Sequence, residues 1–266
     1  SGRTAEDIAA EAIARAIEDA GLQAADIDGI MFPGGMAEAF DASAFRRHFG
    51  TDGEMFESGR GGAMVWAATA PAVAAKALSE GKASHIVNAF SVAWASQRGQ
   101  MTGGPGQFHA HDPFKSNLEA PFGWFPQPVY FATIARRHMH EFGTTERHFG
   151  AVAMAFRKHA CLNPLAIMYD KPMTQQDYMD SRFVSPPFRL FDYCLVNEGS
   201  TCIIVTTTEK AKNSKKPPVY ITGAQGMPTG RNNYTMFGRP GLGMTFEEEY
   251  DYKYKTQDVY QMAGLT

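Results

Sequence analysis

The sequence predicts an α/β layer fold, and three observations predict it. Helical and strand-like patterns alternate over the first 94 residues. A block of helices then interrupts the alternation between 95 and 190, before a strand pattern returns at "STCIIVTTTEKA". Beyond the basic, proline-ended linker "KNSKKPP", a further strand pattern opens, and the closing "VYQMAGLT" echoes the helix ending of "AIEDAGLQ". The echo suggests a duplicated α/β unit whose second copy is cut off.

The elements follow in order. "TAEDIAAEAIARAIEDAGL" is the clearest helix. Thr4 and Asp7 approximate a capping box, and Ile8, Ala12, Ile13, Ala16, Ile17 and Ala20 keep helical spacing. Gly21 supplies the stop. "DIDGIMF" reads as a short strand. Residues 34–54 form a looser connection with one short helix near "ASAFRRHFG". A second helix, rich in small residues, spans Gly61 to Ser79, with Pro71 expected to kink it and Gly81 to end it. "SHIVNAFSVA" is an interior strand. The glycine-rich, aperiodic stretch 95–125 is a long loop, and such loops in compact domains are usually functional. Helices are expected at 126–142, 145–161 and 174–181, bounded by Gly143, Thr144 and Thr145, Asn163-Pro164 and Thr174. "PVYITGAQGM" should begin a new strand, and "TQDVYQMAGL" a last helix. The chain opens on "SGRT" against a helix and closes on "MAGLT", and both ends read as cut from something longer.

Composition narrows the function classes. The chain has 266 residues, enough for a sizeable core, and a net charge of −3. That charge leaves no electrostatic footprint for nucleic acid or an anionic membrane. The most apolar run, Gly62 to Leu78, is mostly alanine and contains Pro71 and Lys76, so it reads as a buried helix and not a membrane span. No signal-peptide pattern opens the chain. Cys161, Cys194 and Cys202 lack metal or disulfide spacing, which suggests a reducing, cytoplasmic setting.

Four stretches carry a resemblance: "AEAIARAIEDAGLQAADIDGI", "ARRHMHEFGTTERHFGAVAMAFRKHACLNPLA", "PFRLFDYCLVNEGSTCIIVTTTEKA" and "DVYQMAGL". Together they resemble the thiolase superfamily, and within it the sterol-carrier-protein-type thiolases and their lipid-transfer-protein relatives. The resemblance spans nearly the whole chain. It implies two similar α/β/α/β/α halves, with a helical loop domain inserted before the last strand of the first. The expected division is then 1–94 for the first part of the N-terminal half, 95–190 for the insertion, 191–212 for the last strand of that half, and 213–266 for the start of a truncated C-terminal half. The family's nucleophilic cysteine lies where a strand meets the small-residue helix. Here that zone reads Glu57-Ser58-Gly59-Arg60-Gly61-Gly62, with no cysteine. The family's other catalytic groups lie in the second half, which this chain almost wholly lacks. The resemblance therefore places the main catalytic groups beyond Thr266, the last residue of the chain.

Claisen chemistry needs a thiolate to hold the acyl group. Ser58 has no evident partner base, and Arg60 is neither nucleophile nor base at its normal pKa. Ser58, Gly59, Arg60 and Gly61 could instead hold a thioester or carboxylate oxygen at a helix N-terminus. The plainer alternative is tight packing at a dimer seam. Some cysteine-less relatives look like acyl-CoA retro-aldolases, which cleave a β-hydroxyacyl-CoA to a ketone and a shorter acyl-CoA. That reaction needs a base and enolate donors and no acyl-enzyme. Asp192 and Tyr193 in "LFDYCLVNEGS" are the candidates for those roles within this chain, against the plainer reading that they pin a loop. Phe122 and Trp124 in "PFGWFPQPVYF" could line an acyl or sterol pocket, or simply pack. By resemblance, Arg231 lies near the coenzyme A path. In His109-x-His111-Asp112 the two histidines would share a face on a strand, but no third ligand has suitable spacing nearby, so no metal is expected.

The resemblance implies a coenzyme A thioester as substrate, no bound cofactor, a homodimer, and a small OB-fold or zinc-ribbon partner protein such as some members use. A retro-aldol lyase of lipid or steroid side-chain degradation is the leading expectation. An acetyl-CoA acyltransferase and a non-catalytic acyl-CoA or lipid binder are the alternatives.

Overall fold

The computed structural model describes residues 2–32, 40–59, 69–96, 117, 120–123, 127–224 and 259–265. Their elements run α1 (Ala5–Ala20), β1 (Gly29–Met31), α2 (Ala42–Phe49), β2 (Phe56–Ser58), α3 (Thr69–Ser79), β3 (His85–Ala93), α4 (Gln127–Phe142), α5 (Glu146–Leu162), α6 (Gln175–Asp180), β4 (Phe183–Ser185), β5 (Phe188–Arg189), β6 (Glu198–Thr206) and α7 (Thr208–Ala211). They form two compact units. One holds 2–96, 197–224 and 259–265; the other holds 117–196.

The first unit is built on a four-stranded sheet in the order β2-β1-β3-β6. β1 runs parallel to β2 and β3, and β6 runs antiparallel to β3 from His85↔Thr206 to Ala93↔Glu198. Successive strand residues face opposite ways, so each face has its own core. Ile30, Val87 and Ala89 pack with Ala9, Ile13 and Ile17 of α1 and with Phe45 of α2. Met31 and Ile86 pack on the other face with Ala70, Ala74 and Ala77 of α3. The result is an α/β/α sandwich. Ile13 and Ile30 are wholly buried, and each such side chain contributes about 1.5–3 kcal/mol.

The ends of α1 are set by its sequence. Thr4 Oγ1 accepts the Asp7 amide at 3.1 Å, and the Asp7 carboxylate accepts the Thr4 amide at 3.3 Å. Gly21, at φ 74°, turns the chain out. The Asp28 carboxylate then accepts the Ser84 and His85 amides at 2.7 and 2.8 Å, which sets the start of β3 beside β1. At Gly29 a Cβ would lie 2.8 Å from Ile86 Cγ1, so only glycine permits this approach.

The second unit is mostly helical. α5 and α6 pack closely at Gly150, and β4 and β5 form a short antiparallel ladder around a cis Pro186-Pro187 bond. The helices expected at 126–142, 145–161 and 174–181 form at nearly those limits. The strand expected to open at Pro218 forms no ladder over its described residues, 218–224, and 225–227 lie outside them. Residues 218–224 pair with no described strand, and Val219 is 93% exposed. An extended segment without a ladder leaves its N–H and C=O groups to solvent and is not a strand. Of the last helix, 259–262 is described and helical. No helix among the described residues is long and apolar enough to cross a membrane.

Candidate functional site

The carboxyl ends of parallel strands are where open α/β sheets place ligands. β2 ends at Ser58, opposite Met31, and the Ser58 carbonyl accepts the Phe32 amide at 3.0 Å. Ser58 is half-buried, and Gly59 follows it into the connection toward α3. Arg60 and Gly61 lie outside the described residues, as do Trp124, Arg231, His109, His111 and Asp112. Thr266, beyond which the resemblance places the main catalytic groups, also lies outside them. The candidate site is therefore built from the groups that this chain supplies. Ser58 and Gly59 sit at the expected strand end.

None of the three cysteines is placed there. Cys202 lies on β6, and burial pushes its thiol up to about 12. It stays a neutral thiol at physiological pH, the opposite of what a nucleophile needs. The Cys161 thiol faces the Met168 carbonyl at 3.7 Å, and Cys194 is exposed. The described residues contain no cluster of His, Cys, Asp and Glu able to hold a metal ion.

In the second unit, Asp192 closes a short 3-10 turn, Leu190–Asp192, and Tyr193 follows it. The Tyr178 hydroxyl donates to Asp192 Oδ1 at 3.0 Å and Oδ2 at 2.9 Å, and the Arg189 amide donates to Oδ2 at 2.6 Å. Burial holds the Asp192 carboxyl above its ordinary value, while the Arg189 amide and Tyr178 hydroxyl oppose the shift. Burial, and then the bond to Asp192, keep Tyr178 protonated well beyond the usual phenol range. Arg189 braces the turn further. Its guanidinium pairs with Glu146 at 2.8 Å, donates to the Ser181 carbonyl at 2.7 Å, and lies 4.0 Å over the Phe183 ring.

Tyr193 differs from its neighbour. Its hydroxyl is buried and meets no hydrogen-bond partner of good geometry. Burial, and then the Asp192 charge, raise its pKa, with the Ser185 backbone acting against them. The Ser185 backbone is near the hydroxyl but not in good hydrogen-bond geometry, so the neutral phenol keeps its proton available to donate. Chemically, the arrangement offers a carboxylate of raised basicity, already holding two donors, beside a phenolic donor that holds none.

Phe122 lies in the 3-10 turn Ala120–Phe122 and is 85% exposed, so it packs against little. Ser58 and Gly59 belong to the first unit; Phe122, Asp192 and Tyr193 belong to the second. Sequence reading missed Tyr178, Arg189 and Glu146, which hold Asp192 in place. Tyr178 and Asp192 are fourteen residues apart and meet only because the β4–β5 hairpin folds back. No periodicity carries that meeting.

No protein-family model matches the chain. A steroid side-chain-cleaving aldolase of Thermomonospora curvata is 31% identical over 259 residues, covering 94% of this chain and 66% of that protein. A 17-hydroxy-3-oxo-4-pregnene-20-carboxyl-CoA lyase of Mycobacterium tuberculosis is 34% identical over 245 residues, covering 91% and 63%. Among solved structures, an Ltp2-ChsH2(DUF35) aldolase superposes with a TM-score of 0.79 at 32% identity, over all of this chain and 66% of that one. A monomeric SCP2-thiolase-like protein of Mycobacterium smegmatis shares the fold, with a TM-score of 0.65 at 13% identity over 99% of this chain and 54% of that one. The chain thus spans just under two thirds of the curated relatives it matches. Matched over more than nine tenths of its own length, it belongs to the thiolase superfamily, among the sterol-carrier-protein-type thiolases and their lipid-transfer-protein, aldolase-like relatives.

Proposed function

We propose that the protein is an acyl-CoA-handling lyase that works without a nucleophilic cysteine. It cleaves a β-hydroxyacyl-CoA by a retro-aldol step in lipid or steroid side-chain degradation. A base takes the β-hydroxyl proton, and the Cα–Cβ bond breaks. The β-carbon becomes a ketone. The bonding electrons pass into the thioester enolate, which is protonated at Cα to give the shorter acyl-CoA. No acyl-enzyme forms.

The observation that carries this reading is the pair of relatives matched over more than nine tenths of the chain, one named an aldolase and the other a CoA lyase. The placement of the thiols supports it, since Cys202 is half-buried on β6 with its thiol pushed toward the protonated form, and β2 ends in Ser58. In this reading Asp192 and Tyr193 are the base and donor candidates that this chain supplies, with the main catalytic groups beyond Thr266. Ser58, Gly59, Arg60 and Gly61 are substrate-binding candidates. Phe122, Trp124 and Arg231 contact the acyl and coenzyme A portions. The protein works as a homodimer, and a partner with an OB-fold or zinc-ribbon completes the enzyme. The relative solved as an Ltp2-ChsH2(DUF35) aldolase supports a second component.

The test is incubation of the native-length protein, with and without its partner, with a β-hydroxyacyl-CoA bearing a tertiary hydroxyl. Ketone and shortened acyl-CoA in equal amounts are expected. Condensation of two acetyl-CoA molecules, or a trapped acyl group on Ser58, would sink the reading. Tyr193→Phe should lower kcat by about 10²-fold or more if the phenol supports the enolate. An unchanged kcat would remove Tyr193 from that role and return the assignment to groups beyond Thr266.

A further inference from the structure

The two oxygens of the Asp192 carboxylate are held unequally. Oδ2 accepts the Arg189 amide at 2.6 Å and the Tyr178 hydroxyl at 2.9 Å. Among the described residues, Oδ1 accepts only the same hydroxyl, at 3.0 Å. A carboxylate has about four acceptor positions, and one O–H shared between both oxygens fills little of Oδ1. Oδ1 is the oxygen with capacity left to take a proton.

The donor that sets this asymmetry is fixed. Tyr178 is wholly buried, and α5 lies so close to its ring that a Cβ at Gly150 would come within 2.7 Å of Cδ1. An aspartate carboxyl otherwise turns broadly about its last torsion. A hydroxyl held by its ring and an amide held by the hairpin select one orientation. Burial, and then the bond to Asp192, keep Tyr178 protonated beyond the usual phenol range, so it remains a donor when Asp192 is ionised.

The charges facing Asp192 come from three elements. Burial favours its neutral form, and the Glu146 carboxylate at the start of α5 acts in the same direction. The Arg189 amide, the Tyr178 hydroxyl on α6 and the Arg189 guanidinium at the end of β5 favour the ionised form. Arg189 pairs with Glu146 at 2.8 Å. Tyr193, next along the chain, is kept neutral by burial and then by the Asp192 charge.

We infer that Tyr178 is a positioning residue for the proposed cleavage, orienting the Asp192 carboxylate so that Oδ1 takes the β-hydroxyl proton. The inference rests on the reading of Asp192 as the base candidate that this chain supplies. It goes beyond that reading by assigning the accepting atom and the side chain that aims it.

The experiment measures kcat and KM against pH for the native-length protein with its partner, on a β-hydroxyacyl-CoA bearing a tertiary hydroxyl. Above the acid limb of the profile, Tyr178→Phe should lower kcat about tenfold or more and leave KM within about threefold, because a misaimed base weakens the chemical step and not binding. Its acid limb should move to higher pH, because a donor to the ionised carboxylate is gone. Glu146→Gln keeps an oxygen for Arg189 and removes a negative charge facing Asp192, so its acid limb should move to lower pH. Loosened packing does not produce two opposite displacements. Tyr169→Phe, the same change at an exposed phenol, should leave kcat and limb unchanged. A folded Tyr178→Phe with the parent's kcat and limb overturns the inference. If that variant does not fold, Glu146→Gln decides, and a limb that stays or moves to higher pH overturns it. If Asp192→Asn keeps the parent's kcat, Asp192 takes no proton, and the inference falls while the lyase reading stands. If the parent yields no ketone and shortened acyl-CoA, the lyase reading falls and the inference falls with it.

Discussion

Tyr178 donates its hydroxyl to both oxygens of the Asp192 carboxylate, at 3.0 and 2.9 Å, across a turn that sequence spacing does not join. Tyr178 is wholly buried. Replacing it with phenylalanine keeps the ring packing and removes the donor. The carboxylate then keeps only the Arg189 amide from this pair of contacts. Tyr178→Phe should lower the stability of the second unit by about 1–3 kcal/mol, read as a lower urea midpoint with an unchanged m-value. A midpoint equal to the parent's would mean that water replaces the phenol at no cost.

The same carboxylate gives stability a specific pH dependence. Burial raises the Asp192 pKa above its ordinary 3.8. Between the unfolded and folded values the native state binds more protons than the unfolded chain. Unfolding free energy therefore falls as pH rises through that window. The contribution is complete below the unfolded pKa and lost above the folded one. Asp192→Asn carries no charge to desolvate, so its stability relative to the parent should improve as pH rises from 4 toward 7. Urea midpoints of both proteins across that range test it. A difference that is flat or of opposite slope would show that the amide and hydroxyl donors outweigh burial.

The legible part of the fold is the part with period and punctuation. α1 announced itself by its Ile and Ala spacing and by Thr4, Asp7 and Gly21, and the capping contacts form as read. β3 and β6 are nine residues each, long enough for their apolar character to show. β4 and β5, with three and two residues, are too short to carry a pattern, and their pairing is a tertiary event. The opposite failure occurred at 218–224, where strand-like composition found no described strand to pair with. The strand end at Ser58 was legible because a glycine-rich junction marks it. The brace around Asp192 was not, because Tyr178, Arg189 and Glu146 come from separate elements.

Gly150 is a second point on which the helical unit depends. A Cβ there would lie 2.5 Å from Gln175 Nε2 and 2.7 Å from Tyr178 Cδ1. The glutamine tip can swing aside; the buried ring cannot. Gly150→Ala raises helix propensity by about 1 kcal/mol, yet overpacking of this kind costs about 1–3 kcal/mol. The net expectation is destabilisation, and loosening of the Tyr178–Asp192 contact with it. Thermal unfolding, together with the exchange rate of the Arg189 amide, checks both parts. A more stable variant would mean that α5 and α6 slide apart freely.

The cysteines offer the sharpest test of chemistry without a thiolate. Cys194 is exposed, Cys161 is half-buried against the Met168 carbonyl, and Cys202 is held protonated by burial, with a pKa pushed up to about 12. Thiolate fraction and access together control alkylation. With a maleimide at pH 7, mass spectrometry should find Cys194 modified first and Cys202 unmodified until the protein unfolds. Replacing all three by alanine removes every thiol from this chain. A retro-aldol step that holds no acyl group should keep its kcat within about threefold after that change, since only packing around Cys202 is disturbed. A fall of about 10³-fold or more, in a variant that still folds, would place a thiol of this chain in the reaction and end the non-covalent reading.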